Sequence, residues 1–221
     1  MKHKIIFVHG FGVKKDARGM FTQIIESLKK EEKLKDTEFI TVDLNDVKDT
    51  DIYLNSLSKQ AELLKNTYNR EYFGDCVFDL ICHSQGCVVA SIAKLEKIRN
   101  VFFIAPPTNN DIQKTINSFK KRSGTKIDLL NESILMRKDG SRTFVTKEYW
   151  EDRKNLNYLD EYQTFAKINN IIVILGNQDE TISNEAIEKS LRKITLIKID
   201  GDHNFEGESR LNLIATIKKS F

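Results

Sequence analysis

The chain predicts an α/β fold: a mostly parallel central sheet with helices on both faces and one small inserted excursion. Three observations predict it. Short apolar, β-branched runs alternate with helix-length amphipathic stretches from the N-terminus onward. Several of these runs end at a glycine-containing or polar turn, the carboxyl-end position at which open α/β sheets bind ligands. Between residues 108 and 168 the alternation stops, and it resumes afterwards.

Taken in order, Lys4-Ile5-Ile6-Phe7-Val8 is a strand that runs into the loop His9-Gly10-Phe11-Gly12, and a helix is expected near 20–34. A strand over 38–44, a helix near 52–66, a strand over 77–82, a helix over 86–97 and a strand over 101–105 follow. After Pro106-Pro107 come a polar helix near 110–121, a loop with Ser123-Gly124, and the stretch 134–145, whose central Asp139-Gly140 signals a β-hairpin. Two short helices are expected over 147–154 and 158–167. Strand 171–175, a helix near 184–190, strand 195–199 and a helix over 206–219 return to the alternating pattern. The chain therefore divides into a core of residues 1–107 and 169–221 and an insertion of residues 108–168.

Length and composition narrow the function. A chain of 221 residues buries a sizeable core as one domain without disulfides or metal. Its 35 basic and 32 acidic residues are interspersed, so the net charge of +3 gives no concentrated field of the kind a nucleic-acid binder presents. Lys29-Lys30-Glu31-Glu32-Lys33 reads as a solvated helix end, and Lys120-Lys121-Arg122, the one compact basic cluster, as an exposed loop in preference to the alternative, an anion site. Cys76, Cys82 and Cys87 are odd in number and lack disulfide spacing, so reduced thiols and a cytoplasmic location are expected. No run reaches the length of a membrane span, and the first apolar stretch is too short for a signal-peptide core. Scattered histidines and unpaired cysteines argue against a metal site, and neither a phosphate loop nor a dinucleotide fingerprint is present, so no cofactor is expected.

The chemistry concentrates at Cys82-His83-Ser84-Gln85-Gly86, where the apolar run 78–82 stops at a serine and an apolar helical stretch begins. A sharp strand-to-helix turn exposes such a serine at a strained backbone position and requires small residues two positions away on either side. Gly86 meets that requirement, while Cys82 stands where glycine is usual. A plain turn capped by Ser84 is the competing explanation of the pentapeptide alone. Further along, strand 171–175 ends in Gly176-Asn177-Gln178-Asp179 and strand 195–199 in Asp200-Gly201-Asp202-His203.

On these four motifs, in this order and each at a strand end, the sequence resembles the α/β-hydrolase family over nearly its whole length. The resemblance implies a serine hydrolase in which Ser84 is the nucleophile, His203 the base and Asp179 the acid, with Asp111 the second choice of acid. Asp200 and Asp202 are expected to form the turn around Gly201. It further implies an oxyanion hole from the backbone N–H groups of Phe11 and Gln85, and a lid formed by the insertion, similar to the small insertions of some cinnamoyl-type esterases. Met136, Phe144, Tyr149 and Trp150 in that lid are candidates for an apolar substrate pocket. His9 and His83 are expected to support their loops, and His3 to lie at the surface. The expected activity is cleavage of a small carboxylic ester through an acyl-enzyme. The alternatives are a thioesterase, a peptidase or amidase with the same triad, or a hydrolase-fold receptor without activity. The expected partner is a small acyl substrate, and the oligomeric state stays open.

Overall fold

In the computed structural model, which describes residues 2–182, 184–192 and 194–221, six strands form one fully parallel sheet. They are β1 (Lys2–Val8), β2 (Thr37–Val42), β5 (Cys76–His83), β6 (Ile98–Ile104), β9 (Ile171–Gly176) and β10 (Thr195–Ile199), in the order β10-β9-β6-β5-β1-β2. β5 lies at the centre between β6 and β1, and β1 and β5 are register-paired from Lys2 with Cys76 to Val8 with Cys82. Their near-continuous apolar sequences reflect burial on both faces, as a parallel sheet covered by helices demands. Alternate residues of β1 serve different layers: Ile6 and Val8 join one apolar cluster, Ile5 and Phe7 the other.

The first cluster is closed by α2 (Leu57–Glu71), α3 (Gln85–Ala93) and α6 (Tyr158–Phe165), the second by α1 (Met20–Leu28) and α8 (Glu208–Lys218). Three more α-helices, α4 (Ile112–Lys120), α5 (Lys147–Asn155) and α7 (Asn184–Ser190), and a 3-10 turn at Glu32–Leu34 complete the described set.

The helix expected over 52–66 starts later than its sequence suggests. Residues Asp51–Leu54 form strand β4, and α2 begins at Leu57, capped by Ser56 Oγ, which accepts from Lys59 N at 3.2 Å. In β4 Ile52 and Leu54 are buried while Tyr53 lies face to face with Phe144, centroids 4.6 Å apart. That four-residue alternation is too short to register in sequence, and its partner strand is some ninety residues away. β4 pairs with β3 (Asp46–Lys48) and, in parallel, with β8 (Arg142–Thr146), which in turn pairs with β7 (Glu132–Met136). The expected hairpin at Asp139-Gly140 is thus present as β7 and β8, built into a second, four-stranded sheet β3-β4-β8-β7.

Two of the seams that join residues 108–168 to the rest of the molecule run along whole elements. One is the β4–β8 ladder. The other is α6, where Tyr162 and Phe165 are buried against Phe103 at centroid distances of 5.3 and 6.1 Å.

Candidate active site

The turn between β5 and α3 places Ser84 at φ 51°, ψ −122°, a conformation costly for any residue with a Cβ. The Ser84 N–H donates to Ile104 O at 2.9 Å, which ties the turn to β6. Two residues on, Gly86 is obligatory: a Cβ there would lie 2.1 Å from Val8 O and 2.8 Å from His9 O. Two residues back there is no such constraint. Cys82 ends the ladder opposite Val8 with its side chain buried in the first cluster beside Cys87, so cysteine in place of glycine leaves the turn intact.

His203 arrives on the loop between β10 and α8. Its Nε2 lies 2.9 Å from Ser84 Oγ, and its Nδ1 2.8 Å from Asp179 Oδ2. Asp179 follows β9 by a tight turn, and its carboxylate is fully shielded from solvent. Burial opposes its ionisation, but the hydrogen bond and charge of His203 and the N–H groups of Thr181 and Ile182, which donate to Oδ1 at 2.7 and 3.2 Å, outweigh it. The carboxyl therefore ionises below its usual range. Asp111, the alternative acid, is committed elsewhere: it caps α4, accepting from Lys114 N at 2.9 Å. Asp202 Oδ1 accepts from Asn204 N and Glu206 N, and Asp200 Oδ1 from Asn177 Nδ2, so both shape their turns.

The loop after β1 lies against Ser84. At Gly10 a Cβ would come 3.1 Å from Ser84 Cβ and 3.3 Å from His83 O, so glycine lets Phe11 approach. Gln85 is the first residue of α3, where helical N–H groups have no partner within the helix. Its side chain is fixed from two sides: Nε2 donates to Gln60 Oε1 at 2.9 Å, and the Tyr149 hydroxyl donates to Oε1. Gln60 was not anticipated from sequence. Its signal was there, because the fully buried stripe Leu57, Gln60, Ala61, Leu64 on α2 contains one polar residue, and a buried amide implies a partner.

The remaining histidines differ in their surroundings. His9 Nε2 accepts from Leu44 N at 3.2 Å and Nδ1 faces Gly10 O at 3.0 Å, which requires a neutral ring protonated on Nδ1; burial likewise lowers its pKa. His83 Nε2 donates to His203 O at 3.0 Å, whereas its buried Nδ1 lacks a protein partner. Burial, followed by the charge of His203, holds its pKa down to about 3. His3 is not a free surface residue. Its Nε2 lies 2.6 Å from Oδ2 of the fully buried Asp79 and 3.0 Å from Arg99 Nη2, and its Nδ1 lies 2.9 Å from Thr37 Oγ1.

Ser84, His203, Phe11 and Gln85 open onto a cavity of about 510 Å³ under α4, a size suited to a small organic ligand. Of the four pocket candidates, Tyr149 lines it; Met136, Phe144 and Trp150 do not. Met136 packs over Gly124, Phe144 is held on Tyr53, and Trp150 is in the core with Nε1 donating to Ser133 Oγ at 3.3 Å. Period-two alternation along β8 and the helical turn at 149–150 send neighbouring side chains in different directions, which sequence proximity does not reveal. No group of three or more His, Cys, Asp or Glu among the described residues is arranged to hold a metal. Nor is any described helix long and apolar enough to cross a membrane.

The sequence pattern of the palmitoyl protein thioesterase family matches residues 4–205. The chain belongs to that family, and its fold is the α/β-hydrolase fold. Among curated proteins, no sequence match is found. Among solved structures, Est1E from Butyrivibrio proteoclasticus is similar over 99% of this chain and 86% of its own, at 18% identity and a TM-score of 0.67. The monoacylglycerol lipase of Paleococcus ferrophilus is similar over 98% and 92%, at 13% identity and a TM-score of 0.64. The mouse alpha/beta hydrolase domain-containing protein 10 is similar over 98% and 88%, at 16% identity and a TM-score of 0.65. At these identities the likeness speaks for the fold of this α/β-hydrolase.

Proposed function

We propose that the protein is a serine hydrolase that cleaves a small carboxylic ester through an acyl-enzyme. The observation that carries this is the unbroken relay from Ser84 Oγ to His203 Nε2 and from His203 Nδ1 to Asp179 at 2.9 and 2.8 Å. Ser84 attacks the acyl carbon as its proton passes to His203 Nε2, and the imidazolium so formed is stabilised by the Asp179 carboxylate. The oxyanion is held by the N–H groups of Phe11 and Gln85, each worth on the order of 10²–10³ in rate. Collapse returns the proton from His203 to the leaving oxygen and leaves the acyl group on Ser84 Oγ. Water then repeats the sequence: it loses a proton to His203, attacks the acyl carbon, and releases the acid and free Ser84. In this scheme residues 108–168 act as the cover of the cavity, with α4 as its roof.

The test is hydrolysis of p-nitrophenyl acetate and butyrate together with labelling by a fluorophosphonate. The native protein should turn over the ester and carry the label on Ser84, and Ser84→Ala should abolish both. Ester turnover that survives the substitution would overturn the assignment.

A thioester substrate is the second reading, favoured by the family match over residues 4–205. The same relay accepts either acyl group. A higher kcat/KM for a thioester than for the oxygen ester of the same acyl chain would decide for it.

A further inference from the structure

The cavity wall carries charge that hydrolysis itself does not need. Over the whole chain 35 basic and 32 acidic residues nearly cancel. In the cavity Arg18, Lys114, Arg122, Arg137 and Arg153 face only the carboxylates of Asp111 and Glu180. Two of the cations are spent on backbone: Lys114 Nζ donates to Thr181 O at 2.6 Å and Arg153 Nη2 to Asp111 O at 3.1 Å. Arg18, Arg122 and Arg137 gather beyond the other end of α4.

How these three are held is informative. The guanidinium of Arg122 lies 4.4 Å from the centroid of Phe119, and that of Arg137 lies 5.3 Å from Phe119 and 5.2 Å from Phe11. Stacking orders a guanidinium through its face and leaves its edge N–H donors available. Of the five donors on each, Arg137 gives Nε–H to Thr143 Oγ1 at 2.9 Å and one Nη2–H to Phe11 O at 3.2 Å. Arg122 gives one Nη1–H to Met136 O at 2.9 Å. Among the described residues none of the three has a carboxylate at ion-pair distance.

The seat of Arg137 is built into the oxyanion loop. Gly12 sits at φ +54°, and a Cβ there would fall 1.6 Å from Arg137 Nη2. Burial first, then the charges of Arg18 and Arg122, hold the Arg137 pKa down to about 10 against the weaker opposing charge of Asp139, which also acts on Arg18; Arg137 stays cationic at neutral pH. Arg18 is an exposed residue at the cavity edge, where the backbone turns through two successive left-handed residues, Ala17 at φ 48° and Arg18 at φ 59°. The Lys120-Lys121-Arg122 run, expected on an exposed loop, thus splits: both lysines are exposed and Arg122 turns inward. Arg122 and Arg137 are partly buried, and clustered cations with uncommitted donors are costly there unless an anion completes them.

We propose that this corner is an anion subsite, and that the substrate bears a carboxylate or phosphate group bound by Arg137, Arg122 and Arg18 while its acyl carbonyl lies at Ser84. The proposal rests on the serine-hydrolase reading above. Arg137 bonds to Phe11 O, and Phe11 contributes the oxyanion N–H, so the anion sits next to the reacting carbonyl. Planar guanidinium forks suit both oxyanions.

The test compares charged and neutral partners in three arms. On the acyl side, the p-nitrophenyl ester of hexanedioic acid is set against its ω-methyl ester. On the leaving-group side, 4-acetoxybenzoate is set against its methyl ester, and butyryl-CoA against S-butyryl-N-acetylcysteamine. In at least one arm the anionic substrate should have the higher kcat/KM, on the order of tenfold, the effect of one charge-assisted hydrogen bond. The arm that responds identifies the carboxylate or phosphate source. The preference should shrink on raising ionic strength from about 0.01 to about 0.15 M, where the Debye length falls from about 30 to about 8 Å. It should also fall towards one in Arg122→Gln and in Arg18→Gln, each assayed as a ratio so that a general loss of activity cancels. Independently of turnover, hexanedioate should raise the Tm of the native protein more than hexanediol does, and Arg122→Gln should remove the difference. Equal or reversed preference in all three arms would overturn the subsite while leaving the serine-hydrolase reading in place. Failure to hydrolyse any of the substrates would sink that reading, and the Tm comparison would then decide the subsite alone.

Discussion

Two aspartate–histidine pairs sit in this molecule. At the carboxyl end of the sheet Asp179 holds His203, and near its amino end Asp79 holds His3. By local measures they are alike: the distances are 2.8 and 2.6 Å, both carboxylates are fully buried, and the imidazoles are 18% and 17% exposed. Their outer connections differ. The other ring nitrogen of His203 faces the Ser84 hydroxyl at an open cavity, while that of His3 is bonded to Thr37 Oγ1. Asp79 is further saturated by Arg99, through Nε at 3.1 Å and through Nη2, and by Asn100 N at 2.9 Å. A carboxylate already neutralised by a guanidinium has little left with which to stabilise a transient imidazolium. Geometry of the pair alone does not make a relay. A nucleophile on the far nitrogen, space for a carbonyl, and an acid without a competing cation do.

The comparison breaks most sharply at the Ser84 end. Ser84→Ala or His203→Ala should lower kcat for ester hydrolysis on the order of 10⁶, whereas His3→Gln should leave kcat unchanged and lower Tm. Equal losses from His3 and His203 in a steady-state assay would mean that the two pairs had been assigned the wrong way round.

The acids come next. Asp179→Asn should cost on the order of 10⁴ in kcat by presenting the wrong tautomer to Ser84. Asp79→Asn should act on stability instead, by about 1–3 kcal/mol in urea unfolding, because buried donors lose their acceptor. Substantial loss of kcat in a folded Asp79→Asn protein would contradict the division.

Acid titration sharpens it further. His83, beside His203, has its folded pKa pushed down to about 3, below the value near 6.5 of an unfolded chain. The unfolded state therefore takes up the extra proton, and this stability is complete above about pH 6.5 and declines by roughly 1.4 kcal/mol per unit as pH falls towards 3. Asp79 and Asp179 both ionise below their usual range, so their contribution is present above about pH 4 and is lost on further acidification. In unfolding measured between pH 7 and 5, His83→Asn should flatten the slope and Asp79→Asn should not.

The smallest expected effect is that of Thr37→Val. It frees His3 Nδ1 and should cost about 0.5–1.5 kcal/mol, the worth of one hydrogen bond, with no gain or loss of hydrolysis.

The six core strands were legible because burial on both faces leaves a strong one-dimensional signature, an apolar run closed by glycine or a polar turn. The positions of Ser84, Asp179 and His203 at strand ends were legible for the same reason. β3 and β4 were not, since a three- and a four-residue strand become strands only when β8 supplies a ladder partner from far along the chain. The cavity lining was the least visible. Met136, Phe144 and Trp150 have pocket-like chemistry, yet they are consumed by Gly124, Tyr53 and Ser133. Arg122, by contrast, stands in a run of charges that reads more readily as a solvated loop than as an anion site, and only the docking of α4 over the loop after β1 brings it beside Arg137.

By itself, then, the sequence determined the order of strands and helices along the chain and the residue types delivered at each strand end, because local periodicity and turn chemistry are written within a few residues. The tertiary structure alone decided which of two aspartate–histidine pairs faces a hydroxyl, and which charges line the cavity. Those outcomes depend on which distant groups compete for the same lone pairs and donors, a competition that is settled only when the layers pack.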